Sequence, residues 1–319
     1  MLPSDGRFGS GPAKIRPAAF ASLASVAPSY LGTSHRRASV RDVIGRVRTG
    51  LATLFALPDG YEIVLGNGGT TAFFDLATFC LIESRSQHCS FGDFSARFAT
   101  AVAATPHLAD PEILLAEAGT RPAPTANDAV DTYALTHNET STGVAMPVTR
   151  PRHGDGRVAT GLVIVDATSA AGCLRLDMGE CDAYYFAPQK GFGSEGGLWL
   201  AACSPAALER SARLTALGRW VPRFLDLNVA VENSRLNQTY NTPALATLWL
   251  LAEQIEWMNA QGGLEWAASR SDTSAEILYG WAEAAEFATP FVANPADRSH
   301  SVATIDFSDE VDAARIART

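Results

Sequence analysis

Apolar residues recur along the chain with helical and strand-like spacing, and this pattern predicts the elements of the fold. Residues 39–58 have the helical spacing, with Ser39 as the predicted N-cap and with apolar side chains at Val40, Val43, Ile44, Val47, Leu51 and Leu54. Short continuous apolar runs at 61–67, 162–169 and 182–190 predict buried strands. Because strands and helices alternate from about residue 39 to 290, we expect an α/β fold with a largely parallel sheet.

The C-terminal part of the chain continues the same pattern. Residues 242–263 predict a long helix that is stopped by Gly262 and Gly263, since glycine is the usual C-cap residue. Residues 301–307 predict a further strand, and residues 308–319 begin another helix. Nearer the middle of the chain, residues 151–161, PRHGDGRVATG, precede the predicted strand at 162–169 and predict a surface loop.

Bulk composition narrows the class of protein. The 319 residues are 47% hydrophobic and 18% charged, which indicates a globular chain with a substantial core. The net charge of −9, without any basic cluster, argues against a nucleic-acid partner. Neither a membrane-spanning apolar run nor a signal peptide is visible. The five cysteines form no C-x-x-C pair, so we expect free thiols and a cytoplasmic location.

Lysine is scarce in this chain, and one lysine has a distinctive setting. Among 25 basic residues, Lys14 and Lys190 are the two lysines. A partly buried lysine can lose its proton and form a Schiff base, whereas a guanidinium stays protonated. We interpret Lys14 as a chance survivor of the arginine bias. Lys190 follows a predicted strand and precedes a glycine-rich turn, so its amine is a candidate for covalent chemistry.

Two further candidate groups follow predicted strands. The turn at 66–71, GNGGTT, leads from a strand into a helix, where backbone amides bind phosphate well. A glycine turn without any ligand is at least as common, and this turn is neither a Walker A loop nor a dinucleotide fingerprint. Asp166 ends the strand LVIVD. It could cap the next turn, bind a metal or hold a protonated heterocyclic nitrogen, but no histidine lies near enough in sequence to favour the metal.

These three groups are more specific together than separately. In an open parallel sheet, ligands bind beyond the carboxyl ends of the strands, so we expect the phosphate turn, Asp166 and Lys190 to lie close together. Pyridoxal 5′-phosphate (PLP) needs an anchor for its phosphate, an anion for its pyridinium nitrogen and an amine for its aldehyde. The sequence therefore predicts a PLP site.

Ordered blocks along the chain resemble the phosphoserine aminotransferases, in the form found in actinobacteria. These blocks are FGSGPAKIRP, LGTSHRRASV, IVLGNGGTTAFFD, FGDFSARFA, HNETSTGVA, VDATSAAG, YYFAPQKGF, GRWVP, NQTYNTPA and TIDFSDEVDA. The resemblance implies a fold-type I PLP-dependent transferase with a large domain at 12–262, built on a mainly parallel seven-stranded sheet flanked by helices. Residues 1–11 and 263–319 would form a small α+β domain that is incomplete at its C-terminus.

The resemblance also implies a role for each site residue. Lys190 would bind the cofactor covalently and transfer the substrate proton, and Asp166 would pair with the pyridine nitrogen. Phe94 would stack on the cofactor ring. Further cofactor contacts are implied for Gly69, Thr70, Thr140 and Gln189, and, towards the neighbouring subunit of a homodimer with shared sites, for Asn241 and Thr242. His35 and Arg36, which alone would suggest a solvated loop, would bind the substrate phosphate in that neighbouring site.

The implied reaction interconverts 3-phosphohydroxypyruvate and L-glutamate with O-phospho-L-serine and 2-oxoglutarate in L-serine biosynthesis. The related step of pyridoxine biosynthesis is a further candidate. Family members continue into a C-terminal segment whose arginines bind the substrate carboxylate, and the present sequence ends at residue 319 before such a segment. One alternative is therefore a PLP-binding dimer with impaired catalysis, because lost positioning slows turnover. Another is a cysteine desulfurase, although that class stacks a histidine on the ring and uses a mobile cysteine.

Overall fold

The computed structural model of the protein describes residues 9–316, so residues 1–8 of the predicted small domain and the last three residues of the predicted final helix lie outside it. Its α-helices are α1 (Pro17–Tyr30), α2 (Ala38–Leu54), α3 (Thr70–Cys80), α4 (Asp93–Ala103), α5 (Pro205–Ala216), α6 (Leu227–Arg235), α7 (Leu245–Gln261), α8 (Gly263–Ala284) and α9 (Ala313–Ile316). Its strands are β1 (Glu62–Asn67), β2 (Ser86–Ser90), β3 (Glu112–Leu115), β4 (Thr132–Thr136), β5 (Asn138–Glu139), β6 (Val144–Ala145), β7 (Leu162–Asp166), β8 (Ala183–Phe186), β9 (Leu198–Cys203), β10 (Ala288–Pro290) and β11 (Ile305–Phe307).

A seven-stranded sheet in the order β1-β9-β8-β7-β4-β2-β3 forms the centre of the fold. The strands from β8 to β3 are parallel to one another, whereas β9 runs antiparallel to both β8 and β1. The expected mainly parallel seven-stranded sheet is therefore confirmed. A separate antiparallel pair, β10 and β11, follows α8.

Both faces of the central sheet are covered by helices. All five residues of β7 are buried, as a strand in the middle of a parallel sheet requires. Val163 and Val165 pack into a core shared with α2 and α7, and Leu162 and Ile164 pack into a second core shared with α3 and α4. Since successive side chains of a strand point to opposite faces, Asp166 lies on the α3–α4 side of the sheet.

Helix α2 confirms the predicted apolar face but not its predicted start. All six apolar residues of the face are buried. The N-cap is Arg37, without a side-chain cap, so the prediction of Ser39 was wrong. A preceding turn, in which Arg37 N donates to Ser34 O at 2.9 Å, brings the chain into helical geometry two residues earlier.

Several other boundaries also differ from the predictions. Strands β7 and β8 end at Asp166 and Phe186, and the residues predicted to extend them form turns instead. Gly262 is the C-cap of α7 with a φ of 124°, as predicted, but Gly263 begins α8 rather than ending a helix. The division into a large and a small domain at residue 262 remains a prediction.

Candidate active site

The predicted phosphate turn lies between β1 and α3. Helix α3 begins at Thr70, and its N-cap, Gly69, has no side-chain cap. Gly68 adopts a φ of 118°, a left-handed conformation that favours glycine. The first amides of α3 therefore have no capping side chain, which is the arrangement that binds phosphate at a helix N-terminus.

Hydroxyl groups connect this turn to the end of β7. Thr168 donates to Oδ1 of Asp166 from its backbone N at 2.9 Å and from Oγ1 at 2.7 Å. Its Oγ1 also lies 2.6 Å from Oγ1 of Thr70. Because the single hydroxyl proton of Thr168 goes to the carboxylate, Thr70 is the donor in that contact. The structure thus brings two predicted site residues, Thr70 and Asp166, into one hydrogen-bonded network.

The buried carboxyl group of Asp166 is suited to a cationic partner. It is 5% exposed, and this burial raises the pKa of Asp166 to about 6, with a smaller rise from the charge of Glu139 and opposing hydrogen bonds from Thr168. Within residues 9–316, no hydrogen bond reaches its Oδ2. A protonated ring nitrogen would supply the missing charge, so the residue fits the pyridinium of PLP.

Lys190 lies in the turn after β8 and contacts the N-terminal segment at Ser10 and Gly11. Its Nζ donates to Ser10 O at 2.7 Å. Burial lowers the pKa of Lys190, which favours the neutral amine that attacks an aldehyde. The neighbouring Gln189 accepts from Ala13 N at 2.8 Å through its backbone oxygen. Its buried Oε1 has no partner among the described residues, and a rotated amide would present a donor to phosphate there.

Thr140 and Phe94 lie on adjoining segments. Oγ1 of Thr140 donates to Oγ of Ser169 at 2.8 Å, which ties the HNET turn to the loop that follows Asp166. Phe94 is half-buried in the first turn of α4, with the guanidinium of Arg97 5.1 Å from its ring centroid. The backbone N of Phe94 points to Glu139, one residue before Thr140, at 3.4 Å.

The other predicted residues form a second group beside the phosphate turn. Nδ1 of His35 lies 3.1 Å from Oγ1 of Thr242, and its buried Nε2 has no partner among the described residues. Burial and the adjacent charge of Arg36 both lower the pKa of His35. The side chain of Asn67 donates to Thr242 O at 3.1 Å and accepts from Asn241 N at 3.2 Å. Arg36 is exposed next to this group.

Five contributors to this site were given no site role by the sequence analysis: Ser10, Gly11, Glu139, Thr168 and Ser169. Ser10 and Gly11 stand in a quoted block, yet nothing local indicates that they would reach Lys190. Burial lowers the pKa of His137 to about 4 and of His88 to about 3, which suits neutral packing residues. Within residues 9–316 there is no cluster of three or more His, Cys, Asp or Glu side chains able to hold a metal. The described helices include none that is both long and apolar enough to cross a membrane.

Replacing Gly11 by alanine should displace Lys190. A Cβ at position 11 would lie 2.5 Å from Cδ and 2.9 Å from Nζ of Lys190, and the φ of Gly11 is +117°, which a side chain rarely adopts. We expect cofactor affinity to fall by about tenfold, equivalent to about 1.4 kcal/mol. Titration of the apoprotein with PLP measures this loss. Gly9→Ala is the matched control, since nothing lies within 4 Å of its added Cβ; equal affinity in both variants would contradict the contact.

Known proteins are similar in sequence to nearly the full length of this chain. The class-V aminotransferase family matches residues 121–319. A relative from Mycolicibacterium vanbaalenii, whose name includes phosphoserine aminotransferase, is 59% identical over 318 residues, which is 100% of this chain and 84% of the relative. The phosphoserine aminotransferase of Nocardioides sp. is 57% identical over 317 residues, or 99% and 84% of the two chains.

The fold matches solved phosphoserine aminotransferases as well. The crystal structure of the Cytophaga hutchinsonii protein has a TM-score of 0.84 at 25% identity, over 92% of this chain and 81% of that one. The PLP-bound enzyme of Trichomonas vaginalis has a TM-score of 0.75 at 18% identity, over 92% of this chain and 81% of that one. At the lower identity, the likeness concerns the fold alone.

Proposed function

The chain belongs to the phosphoserine aminotransferases of the class-V aminotransferase family, and from this premise we propose that it interconverts 3-phosphohydroxypyruvate and L-glutamate with O-phospho-L-serine and 2-oxoglutarate, using PLP. The reaction is a step of L-serine biosynthesis. The observation that carries the proposal is the network of Thr70, Thr168 and buried Asp166 at the strand ends. Strand β8, which leads into the turn of Lys190, pairs with the strand that ends at Asp166.

The chain's own residues supply binding, orientation and proton transfer. When bound, PLP supplies an electron sink for carbanion chemistry. The amides of α3 behind Gly69 bind its phosphate, and the ionised Asp166 holds the proton on its ring nitrogen. Thr168 keeps Asp166 in orientation through two hydrogen bonds to Oδ1. The amine of Lys190 would hold the cofactor covalently, and it would also be the base that moves the proton of the substrate α-carbon.

The five cysteines argue against desulfurase chemistry. All are free thiols, and burial raises the pKa of each; for Cys173, the least buried, the value rises to about 11. A buried thiol is a poor nucleophile because the reactive form is the thiolate. Free thiols also support the proposed cytoplasmic location, where disulfides are rare.

Two measurements on purified protein test the activity. Binding of PLP should give a yellow protein, and L-glutamate should bleach that colour as its amino group is transferred. A coupled assay with 3-phosphohydroxypyruvate then reports the complete reaction, and the pyridoxine-pathway substrate is assayed alongside it. Yellow protein that glutamate does not bleach would favour the impaired PLP-binding dimer instead. Protein that releases sulfide from L-cysteine would favour the desulfurase.

A homodimer with shared active sites is part of the proposal. It is supported by the contact between His35 and Thr242, which places the two segments expected to serve the neighbouring site side by side, with Arg36 exposed beside them. In a two-fold dimer, each of these segments would then contribute to the site that contains the partner's lysine.

Mixing two inactive variants should restore activity if the sites are shared. Lys190→Ala disables the site of its own chain, whereas Arg36→Ala disables the opposite one, so a mixed dimer has one site with both defects and one with neither. Random assortment makes half of the dimers mixed, and we expect about a quarter of native activity after subunit exchange. A mixture of Lys190→Ala and Asp166→Asn is the control, since both changes affect the site of their own chain and no site becomes intact. Absence of recovery in the first mixture would contradict shared sites.

A further inference from the structure

The N-terminus of α4 is capped by a carboxylate from another part of the chain. Glu139 in β5 has no exposed surface. Its Oε2 accepts from Ser95 N at 2.9 Å, and its Oε1 accepts a longer bond from Phe94 N at 3.4 Å. Ser141 completes the cap, because its Oγ accepts from Asp93 N at 2.9 Å and donates to Oε1 of Glu139 at 2.7 Å. The first three amides of α4, which a helix leaves without partners, thus all end on the 139–141 turn.

Position 92 has room for glycine alone because this cap packs against it. A Cβ on Gly92 would lie 2.4 Å from Cγ of Glu139 and 2.5 Å from Oγ of Ser141. The backbone of Gly92 is extended, with a φ of 174°, so the requirement comes from close approach and not from backbone strain. The cap and the helix are therefore fitted to each other through direct contact.

Residues next to Glu139 on both sides contact the loop after Asp166. Asn138 and Thr140 each donate to Oγ of Ser169 at 2.8 Å, and Ser169 is three residues beyond Asp166. The negative charge of Glu139 also contributes to the raised pKa of Asp166. One short segment therefore joins the helix that carries Phe94 to the loop that carries the predicted anion for the cofactor.

We propose that Glu139 is a positioning residue, which holds the backbone of Phe94 in place and thereby sets the affinity for PLP. The inference rests on the PLP site proposed above. A carboxylate at a helix N-terminus is stabilised by the helix dipole and by charge-assisted hydrogen bonds, so it fixes the first turn more firmly than a neutral cap. An aromatic ring whose own backbone N is anchored has less freedom to leave its stacking position.

Glu139→Gln tests this role. Glutamine preserves the size of the side chain but removes the charge, and its Nε2 cannot accept from Ser95 N. We expect the dissociation constant for PLP to rise at least tenfold, measured by titrating the apoprotein and following tryptophan fluorescence. Glu112→Gln is the matched control. Glu112 in β3 also accepts side-chain hydrogen bonds, from Gln87 at 2.9 Å and Asn127 at 2.8 Å, but it serves no predicted site residue, so its variant should bind PLP normally.

The pH dependence of PLP binding supplies a readout that a purely structural role would not change. We expect PLP binding to weaken as Asp166 is protonated, below about pH 6. The titratable groups that act on or respond to Asp166 are Glu139 from β5 and Tyr184 and Tyr185 from β8, and the charge that raises the pKa of Asp166 is that of Glu139. Its removal should shift the acidic limb of the binding curve to lower pH in Glu139→Gln, but not in Glu112→Gln.

Gly92→Ala provides a second test with the carboxylate intact. The added Cβ should displace Glu139, so we expect weaker PLP binding together with an acidic limb close to that of the wild type. Native PLP affinity in both Glu139→Gln and Gly92→Ala would overturn the positioning role. If the wild-type protein itself binds no PLP, the proposed function fails instead, and the two failures are thereby distinguished.

Discussion

Lys190→Arg is expected to abolish covalent attachment of PLP and to lower turnover by about 10³-fold or more, the range in which loss of a nucleophile or general base is measured. Arginine preserves the positive charge and most of the bulk, but its guanidinium does not deprotonate in proteins. Burial lowers the pKa of Lys190 and so favours its neutral amine. The same burial would not make an arginine side chain neutral. The variant should therefore fold and still bind PLP non-covalently.

Borohydride reduction followed by intact mass measurement detects the attachment directly. The wild-type protein should gain the mass of one reduced PLP per chain, and Lys190→Arg should gain none. Lys14→Arg is the control, since Lys14 is the other lysine in the chain and is exposed. A reducible adduct that persists in Lys190→Arg, or disappears in Lys14→Arg, would remove Lys190 from its proposed role.

Asp166→Asn is expected to slow proton abstraction from the substrate by orders of magnitude while PLP still binds. Asparagine retains an Oδ1 that accepts from Thr168, so the local network survives, but it offers no negative charge to the ring nitrogen. Stopped-flow measurement of the glutamate half-reaction, at saturating PLP, reports this step. Native rates would show that Asp166 acts as a turn cap and nothing more.

Although it slows the reaction, the same substitution should make the apoprotein more stable. The pKa of Asp166 is about 6 in the folded protein against 3.8 for the free side chain, so the folded state binds more protons between these values. Stability from this group is therefore lost as pH rises from about 4 to about 6, and the loss persists at neutral pH. Asparagine cannot ionise, so Asp166→Asn should raise the free energy of unfolding at pH 7.5 by on the order of 3 kcal/mol.

Chemical denaturation of the apoprotein at pH 4.5 and pH 7.5 measures this difference. Asp182→Asn is an informative comparison, because Asp182 is equally buried but pairs with Arg150 at 2.8 Å. Removing that charge leaves Arg150 without the carboxylate of its ion pair, so this variant should be less stable than the wild type at pH 7.5. If both variants were destabilised to the same extent, the interpretation that burial raises the pKa of Asp166 without a compensating cation would be wrong.

The chemistry of the candidate site was accessible from the sequence because it depends on residue type and on position relative to strands. An amine in a chain that otherwise uses arginine, and a carboxylate at the end of an apolar run, are both local features. The carboxyl ends of parallel strands meet at one edge, so order along the chain was enough to expect Asp166 near the phosphate turn. The hydroxyl contact between Thr70 and Thr168 confirms that proximity.

The direction of β9 and the start of α2 could not be obtained in the same way. A strand buried on both faces shows a continuous apolar run whichever way it points, so the pattern of residues 198–203 is silent about its antiparallel pairing. The start of α2 depends on a turn at 34–37, whose hydrogen bond overrides the capping preference of Ser39.

By itself, the sequence determined the α/β class, the buried faces of the helices and the identities of the amine and the carboxylate, since period and residue chemistry are local properties. The tertiary structure decided which distant groups meet. Lys190 reaches Ser10 across 180 positions, and His35 reaches Thr242 across 207. Such contacts arise when whole elements pack against one another, and no local spacing encodes them. For the same reason the cap that Glu139 places on α4, 44 positions from Ser95, emerged from the folded chain alone.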